Sequence, residues 1–140
     1  MIGHPLPRLL TVTRDAMWYQ RVRQAVAGQA RTRKVGSLAQ LDRAPEAAAI
    51  LIDGAAVPDI DRLVHWLRSQ AVVAPVAVAA AVPEWRDAVT LMTAGAFDYF
   101  AKTYDVIELS RRLQTLLQIS SDPSQVERDN GQEAQAYSVC

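Results

Sequence analysis

The stretch Ala74–Lys102, APVAVAAAVPEWRDAVTLMTAGAFDYFAK, constrains the fold more than any other part of the chain. Ala74–Ala79 is small and apolar without alternation, as a strand buried on both faces requires. Trp85, Val89 and Met92 follow at helical spacing with Ala88 beside them, which predicts an amphipathic helix with these residues as its apolar stripe. Gly95 ends that helix, because glycine adopts the left-handed conformation of a helix stop at least cost. Phe97, Tyr99 and Phe100 then read as a strand. Lys102 stands at its carboxyl end, the edge where open α/β sheets place their ligand sites.

The same alternation runs through the chain. Residues 1–7 are a lead-in in which Pro5 and Pro7 oppose regular structure. Leu9–Val12 is the first strand, and Asp15 is placed to cap a helix whose buried stripe is Trp18, Val22, Ala25 and Val26, with Gly28 as its stop. Arg33–Val35 is a weak second strand at a sheet edge, and Ser37 caps a short helix that carries Leu38 and Leu41 and ends at Pro45. Ala47–Ile52 is a third, wholly apolar strand that delivers Asp53 at its carboxyl end. After a loop at Gly54–Pro58, Asp59 caps a helix with Ile60, Leu63, Val64 and Leu67 on one face. Asp105 and Glu108 open the last helix in the manner of a capping box, and its apolar face is Val106, Leu109, Leu113, Leu116 and Leu117. Five strands alternating with five helices predict a doubly wound parallel sheet with helices on both faces.

At 140 residues the chain is one domain. Half of its residues are apolar, enough for a core, and a formal net charge of zero gives no bulk attraction to nucleic acid. Arginines cluster at Arg21 and Arg23 and at Arg31, Arg33 and Lys34, a pattern that usually marks a solvated face. The lone cysteine, Cys140, cannot close an internal disulfide, so a reducing cytoplasm is the expected compartment. No apolar run approaches the roughly 20 residues of a membrane span. MIGHPLPRLL lacks the order of a signal peptide. Residues 120–140 are polar and read as a disordered tail or a linker.

AGAFDYFAK and the order of the elements resemble the receiver (response-regulator, CheY-like) domains of bacterial two-component systems over about Arg8–Leu117. The resemblance implies a flavodoxin-like (βα)5 fold with strand order 2-1-3-4-5. It places Asp53 at the phospho-acceptor position, Lys102 at the phosphoryl-contacting lysine and Tyr99 at the switch aromatic. Other family features are missing. The acidic pair that holds Mg²⁺ is replaced by Thr13 and Arg14, with Asp15 one residue late. Ala80 stands where a phosphoryl-binding hydroxyl belongs, and Thr103 follows the lysine in place of proline, so a trans bond is expected there. Pro58 comes five residues after Asp53 instead of four.

Arg14 is open to two readings: it fills the metal's place beside Asp53, or it is exposed at a strand end. Asp53 likewise is either the acceptor or a loop carboxylate that bonds locally. Asp15 and Asp53 alone are too few carboxylates for Mg²⁺, so no metal or other cofactor is expected. Catalysis is not expected either: His65 and His4 have no partner at metal-ligand spacing, there is no Gly-rich phosphate loop, and Trp85 is read as packing. Two functions follow from the resemblance. One is an atypical pseudo-receiver, a phosphorylation-independent interaction or dimerisation module working through its fourth helix, fifth strand and fifth helix. That face would expose Arg86, Thr90, Thr93, Tyr99 and Arg111. The other is a working phosphorelay receiver, phosphorylated on Asp53 by a histidine kinase with Mg²⁺ bound. Neither involves direct contact with nucleic acid or a membrane.

Overall fold

A computed structural model describes residues 6–41, 47–69 and 74–120. The elements, in order, are β1 (Arg8–Val12), α1 (Ala16–Ala25), β2 (Arg31–Val35), α2 (Leu38–Leu41), β3 (Ala49–Asp53), α3 (Ile60–Ser69), β4 (Val76–Ala80), α4 (Trp85–Ala94), β5 (Asp98–Ala101) and α5 (Val106–Ser120). A 3-10 turn at Gly54–Ala56 follows β3. All strand pairs are parallel, in the order β2-β1-β3-β4-β5. This is the flavodoxin-like doubly wound sheet with five helices.

The central strands β1, β3 and β4 are apolar on both faces because both faces are covered. Leu9, Leu51 and Ala79 face one layer, where they pack with Trp18, Val22, Leu109 and Leu113 of α1 and α5. Leu10, Ile50, Ile52 and Val78 face the other, where α3 contributes Leu63, Trp66 and Leu67 and α4 contributes Leu91 and Ala94. The edge strand β2 is mostly exposed. It is two residues longer than its sequence suggests, because Arg31 N–H bonds to the Pro7 carbonyl at 2.9 Å and extends the pairing with β1.

Local signals fall where the sequence places them. Asp15 caps α1, accepting from Trp18 N–H at 3.0 Å, and Asp59 caps α3 through Arg62 N–H at 2.8 Å. Gly95 closes α4 with a φ of 122°. Glu108 N–H donates to Asp105, but the Glu108 carboxylate pairs with Arg111 and Arg112, so α5 begins with half a capping box.

The phase of α4 differs from expectation. Trp85 and Val89 are 73% and 57% exposed, while Leu91 and Ala94 are buried and Ala88 and Met92 half-buried. Two apolar stripes run along this helix, and the one carrying Leu91 meets α3 and the sheet. Trp85 is therefore not a packing residue; it lies against the Arg86 guanidinium at the surface. The third strand begins at Ala49 instead of Ala47. The predicted stop at Pro45, most of the lead-in and all but the first residue of the polar tail lie outside the described residues.

Candidate functional site

Parallel strands deliver their carboxyl ends to one edge, and there β1, β3 and β5 bring together Thr13, Asp15, Asp53 and Lys102. Asp53 ends β3 and is 1% exposed. The Lys102 ammonium stands 3.0 Å from Asp53 Oδ2 and 3.0 Å from Asp15 Oδ2. Thr13, also 1% exposed, donates its hydroxyl to Asp53 Oδ2 at 2.7 Å. The Ala55 N–H donates to Asp53 Oδ1 at 3.0 Å, so both carboxylate oxygens are engaged. Thr13 Oγ1 accepts in turn from Asp15 N–H at 3.0 Å, which fixes the loop that carries Asp15. Lys102 also lies over the Trp18 ring, 5.3 Å from its centroid.

The electrostatics follow from this packing. Burial pulls the Lys102 ammonium down, but its hydrogen bonds and charge contacts with Asp53 and Asp15 outweigh that, and the net shift is upward. Asp15 is held below the usual carboxylate range, first by the Trp18 N–H at the helix start and then by Lys102. The charges thus form one lysine shared by two carboxylates.

Arg14 is not part of this cluster. Its Nε donates to the Gly36 carbonyl at 3.2 Å on the exposed side of the chain. Thr13 points inward, and the chain bends at Arg14 after β1, which leaves that side chain outside the cluster. The place beside Asp53 that the sequence offered to Arg14 belongs to Lys102 and Thr13. Ala80 ends β4 with its carbonyl accepting from Lys102 N–H at 2.8 Å, and it supplies no hydroxyl to the site. Tyr99 is half-buried and its hydroxyl accepts from Glu84 N–H at 3.1 Å, tying β5 to the start of α4. A groove of about 310 Å³ runs between the 3-10 turn and α4, walled by Val57, Leu63, Ala80, Leu91 and Tyr99. No described peptide bond is cis. His65 is exposed on α3 and His4 lies outside the described residues.

Sequence reasoning missed the Thr13–Asp53 and Lys102–Asp15 bonds, which join residues 40 and 87 positions apart. It also missed the Lys102–Trp18 contact. The only signal was the residue types present: a hydroxyl, two carboxylates and a lysine at strand ends of one sheet edge.

Mg²⁺ takes octahedral oxygen coordination anchored by carboxylates. Here two carboxylates share one ammonium, and no group of three or more His, Cys, Asp or Glu is clustered for a metal among the described residues. The Lys102 ammonium lies between the two carboxylates, so a metal bridging both would have to displace it. What the arrangement does well is hold a buried carboxylate in one place, with both of its oxygens bonded.

No family model and no curated protein matches the chain. Solved structures do share its fold. A response regulator from Thermotoga maritima superposes with a TM-score of 0.71 at 17% identity, over 81% of this chain and 98% of that one. HP1043, an orphan response regulator of H. pylori, gives 0.68 at 16% identity, over 82% and 99%. The receiver domain of sensor histidine kinase PA1611 from Pseudomonas aeruginosa gives 0.66 at 23% identity, over 81% and 98%, and its structure has a magnesium ion coordinated in the active-site cleft. The fold is that of response-regulator receivers. No helix among the described residues is long and apolar enough to cross a membrane.

Proposed function

We propose that the chain is an atypical receiver-like signalling domain that acts as a protein-interaction or dimerisation module without phosphorylation, metal or catalysis of its own. One observation carries this reading. Both oxygens of the would-be acceptor, Asp53, are already engaged by Thr13, Ala55 and Lys102, and the side chain is buried. Thr13 and Lys102 both bond Oδ2 and Ala55 N–H bonds Oδ1, so three of the roughly four acceptor positions of the carboxylate are taken, and a side chain 1% exposed gives a phosphoryl donor little approach to the remaining one. The lysine that would neutralise an incoming phosphoryl group is instead committed to two carboxylates.

The α4–β5–α5 face is the proposed working surface. Val82, Trp85 and Val89 are exposed apolar side chains at and before α4, and Ile107 is 74% exposed on α5. Arg86, Thr90, Thr93 and Arg111 are exposed as well, while Tyr99 is only half-exposed because its hydroxyl is bonded. Exposed aromatic and arginine residues are the types that anchor protein interfaces. A two-fold contact between copies is the simplest use of such a face.

The test is a Mg²⁺ titration with and without beryllofluoride, followed by tryptophan fluorescence and amide shifts. No saturable response at millimolar metal is expected. Saturable binding that disappears in Asp53→Asn would overturn the proposal in favour of a working acceptor served by a histidine kinase.

A further inference from the structure

The opposite edge of the sheet carries a second, unrelated surface. Between residues 6 and 41 the chain has seven lysines and arginines and one carboxylate, Asp15, which Lys102 already holds. Five of the cations converge on β2 and its neighbours. Arg8 and Arg31 are register partners on β1 and β2, and Arg33 follows two residues on, so the three share one face of the edge. Lys34 points to the other face and lies over the Tyr19 ring, whose hydroxyl bonds to Thr32. Arg23 is one helical turn beyond Tyr19 on α1. None of the five pairs with a carboxylate among the described residues, whose ion pairs involve only Lys102, Arg111 and Arg112.

β2 is also an open edge. Its inner hydrogen bonds use Arg31 N–H and the Val35 carbonyl. Because backbone groups alternate sides along a parallel strand, the N–H and C=O groups of Thr32 and Lys34 face outward, with no strand beyond them among the described residues. A second copy pairing there would set arginine and lysine against their like, which is unfavourable.

We infer that β2 takes an extended acidic segment of a partner protein as a sixth strand, bonded to the Thr32 and Lys34 backbone, with carboxylates on alternate residues opposite Arg31 and Arg33. Arg31 and Arg33 project from one face about 6.6 Å apart, the same-face repeat of an extended peptide, so a period of two in the acidic residues is the recognised feature. Spacing of this kind separates a strand from other polyanions, which the charge alone would not.

The experiment uses the full chain and three probes at low and moderate salt. They are a labelled peptide alternating glutamate with valine, a peptide of the same composition with its glutamates grouped, and a single-stranded oligothymidylate. Fluorescence anisotropy reads affinity, and amide hydrogen exchange reads Thr32 and Lys34. The alternating peptide is expected to bind more tightly than the grouped one and to protect both amides. The R31E/R33E variant should lose on the order of tenfold in affinity or more, with Arg33→Gln moving the same way by less. The proposal is overturned if the two peptides bind alike, if the alternating peptide does not bind, or if the oligonucleotide binds more tightly while Thr32 and Lys34 stay unprotected.

Discussion

Replacing Lys102 by methionine tests the charge cluster most directly. Methionine keeps the length and apolar stem of the side chain and removes only the ammonium. What remains is the Asp53 carboxylate, 1% exposed, with the Thr13 hydroxyl and the Ala55 N–H as its donors and no counter-charge within contact. Removing one partner of a buried ion pair costs about 3–5 kcal/mol, because the other charge is left desolvated and uncompensated. Lys102 keeps 14% of its side chain exposed, so the low end applies, about 3 kcal/mol. For a domain of this size that is roughly a 10 °C drop in melting temperature. The second half of the experiment is Asp53→Asn in the Lys102→Met background. With both charges gone nothing ionised remains buried, so the double variant should be more stable than the sum of the single losses implies, by about 2 kcal/mol or more. Urea unfolding of the four proteins closes the cycle. Losses that add to within about 0.5 kcal/mol would refute the reasoning, because independent residues behave that way and a shared buried pair does not.

Further expectations follow from the same geometry. Thr13→Val removes a buried donor to a charged acceptor and should cost about 2 kcal/mol in urea unfolding, with Thr13→Ser retaining most of the stability. Thr13→Asp puts a second carboxylate against Asp53, so it should destabilise the domain without metal and make its melting temperature rise with millimolar Mg²⁺, whereas the native chain should not respond. Stability contributed by the cluster should be constant at intermediate pH. It should fall below the ordinary carboxylate value of 3.8 as Asp15, held lower in the fold, takes up a proton. It should fall again above the ordinary lysine value of 10.5 as Lys102, held higher in the fold, loses one, and Lys102→Met should abolish that alkaline limb of a pH–stability curve. Trp85→Ser should change monomer stability by no more than about 0.5 kcal/mol, since the ring is 73% exposed, yet weaken any self-association seen by sedimentation.

Much of the fold is legible in the sequence because it is encoded locally. The apolar runs Ala49–Ile52 of β3 and Val76–Ala80 of β4 announce strands buried on both faces, as does β1 despite its Thr11, and the Trp18–Val22–Ala25 stripe and the Asp15 cap announce α1. The face of α4 is not legible in the same way. Trp85–Val89–Met92 and Ala88–Leu91–Ala94 are both plausible stripes by spacing, and only the packing of Leu91 between α3 and the sheet chooses the second. In the site, Asp53 and Lys102 are readable from their places at strand ends, but their partners are not. Thr13 looks like the loss of a carboxylate until its hydroxyl is seen donating to Asp53. Arg14 looks like a substitute cation until the bend that follows β1 is seen to leave it bonded to the Gly36 carbonyl.

Lys102 reaches from the end of β5, the outermost strand on its side, past β4 to Asp53 on β3 and Asp15 at the start of α1. A tie of that reach limits how the protein breathes. The carboxyl edge cannot open strand by strand, because lifting the end of β5 strips the counter-charge from Asp53 at the centre of the sheet. The amides of Lys102, Tyr104 and Asp15, bonded to Ala80, Ala101 and Thr13, should therefore exchange with solvent in one cooperative opening instead of fraying at the edge first.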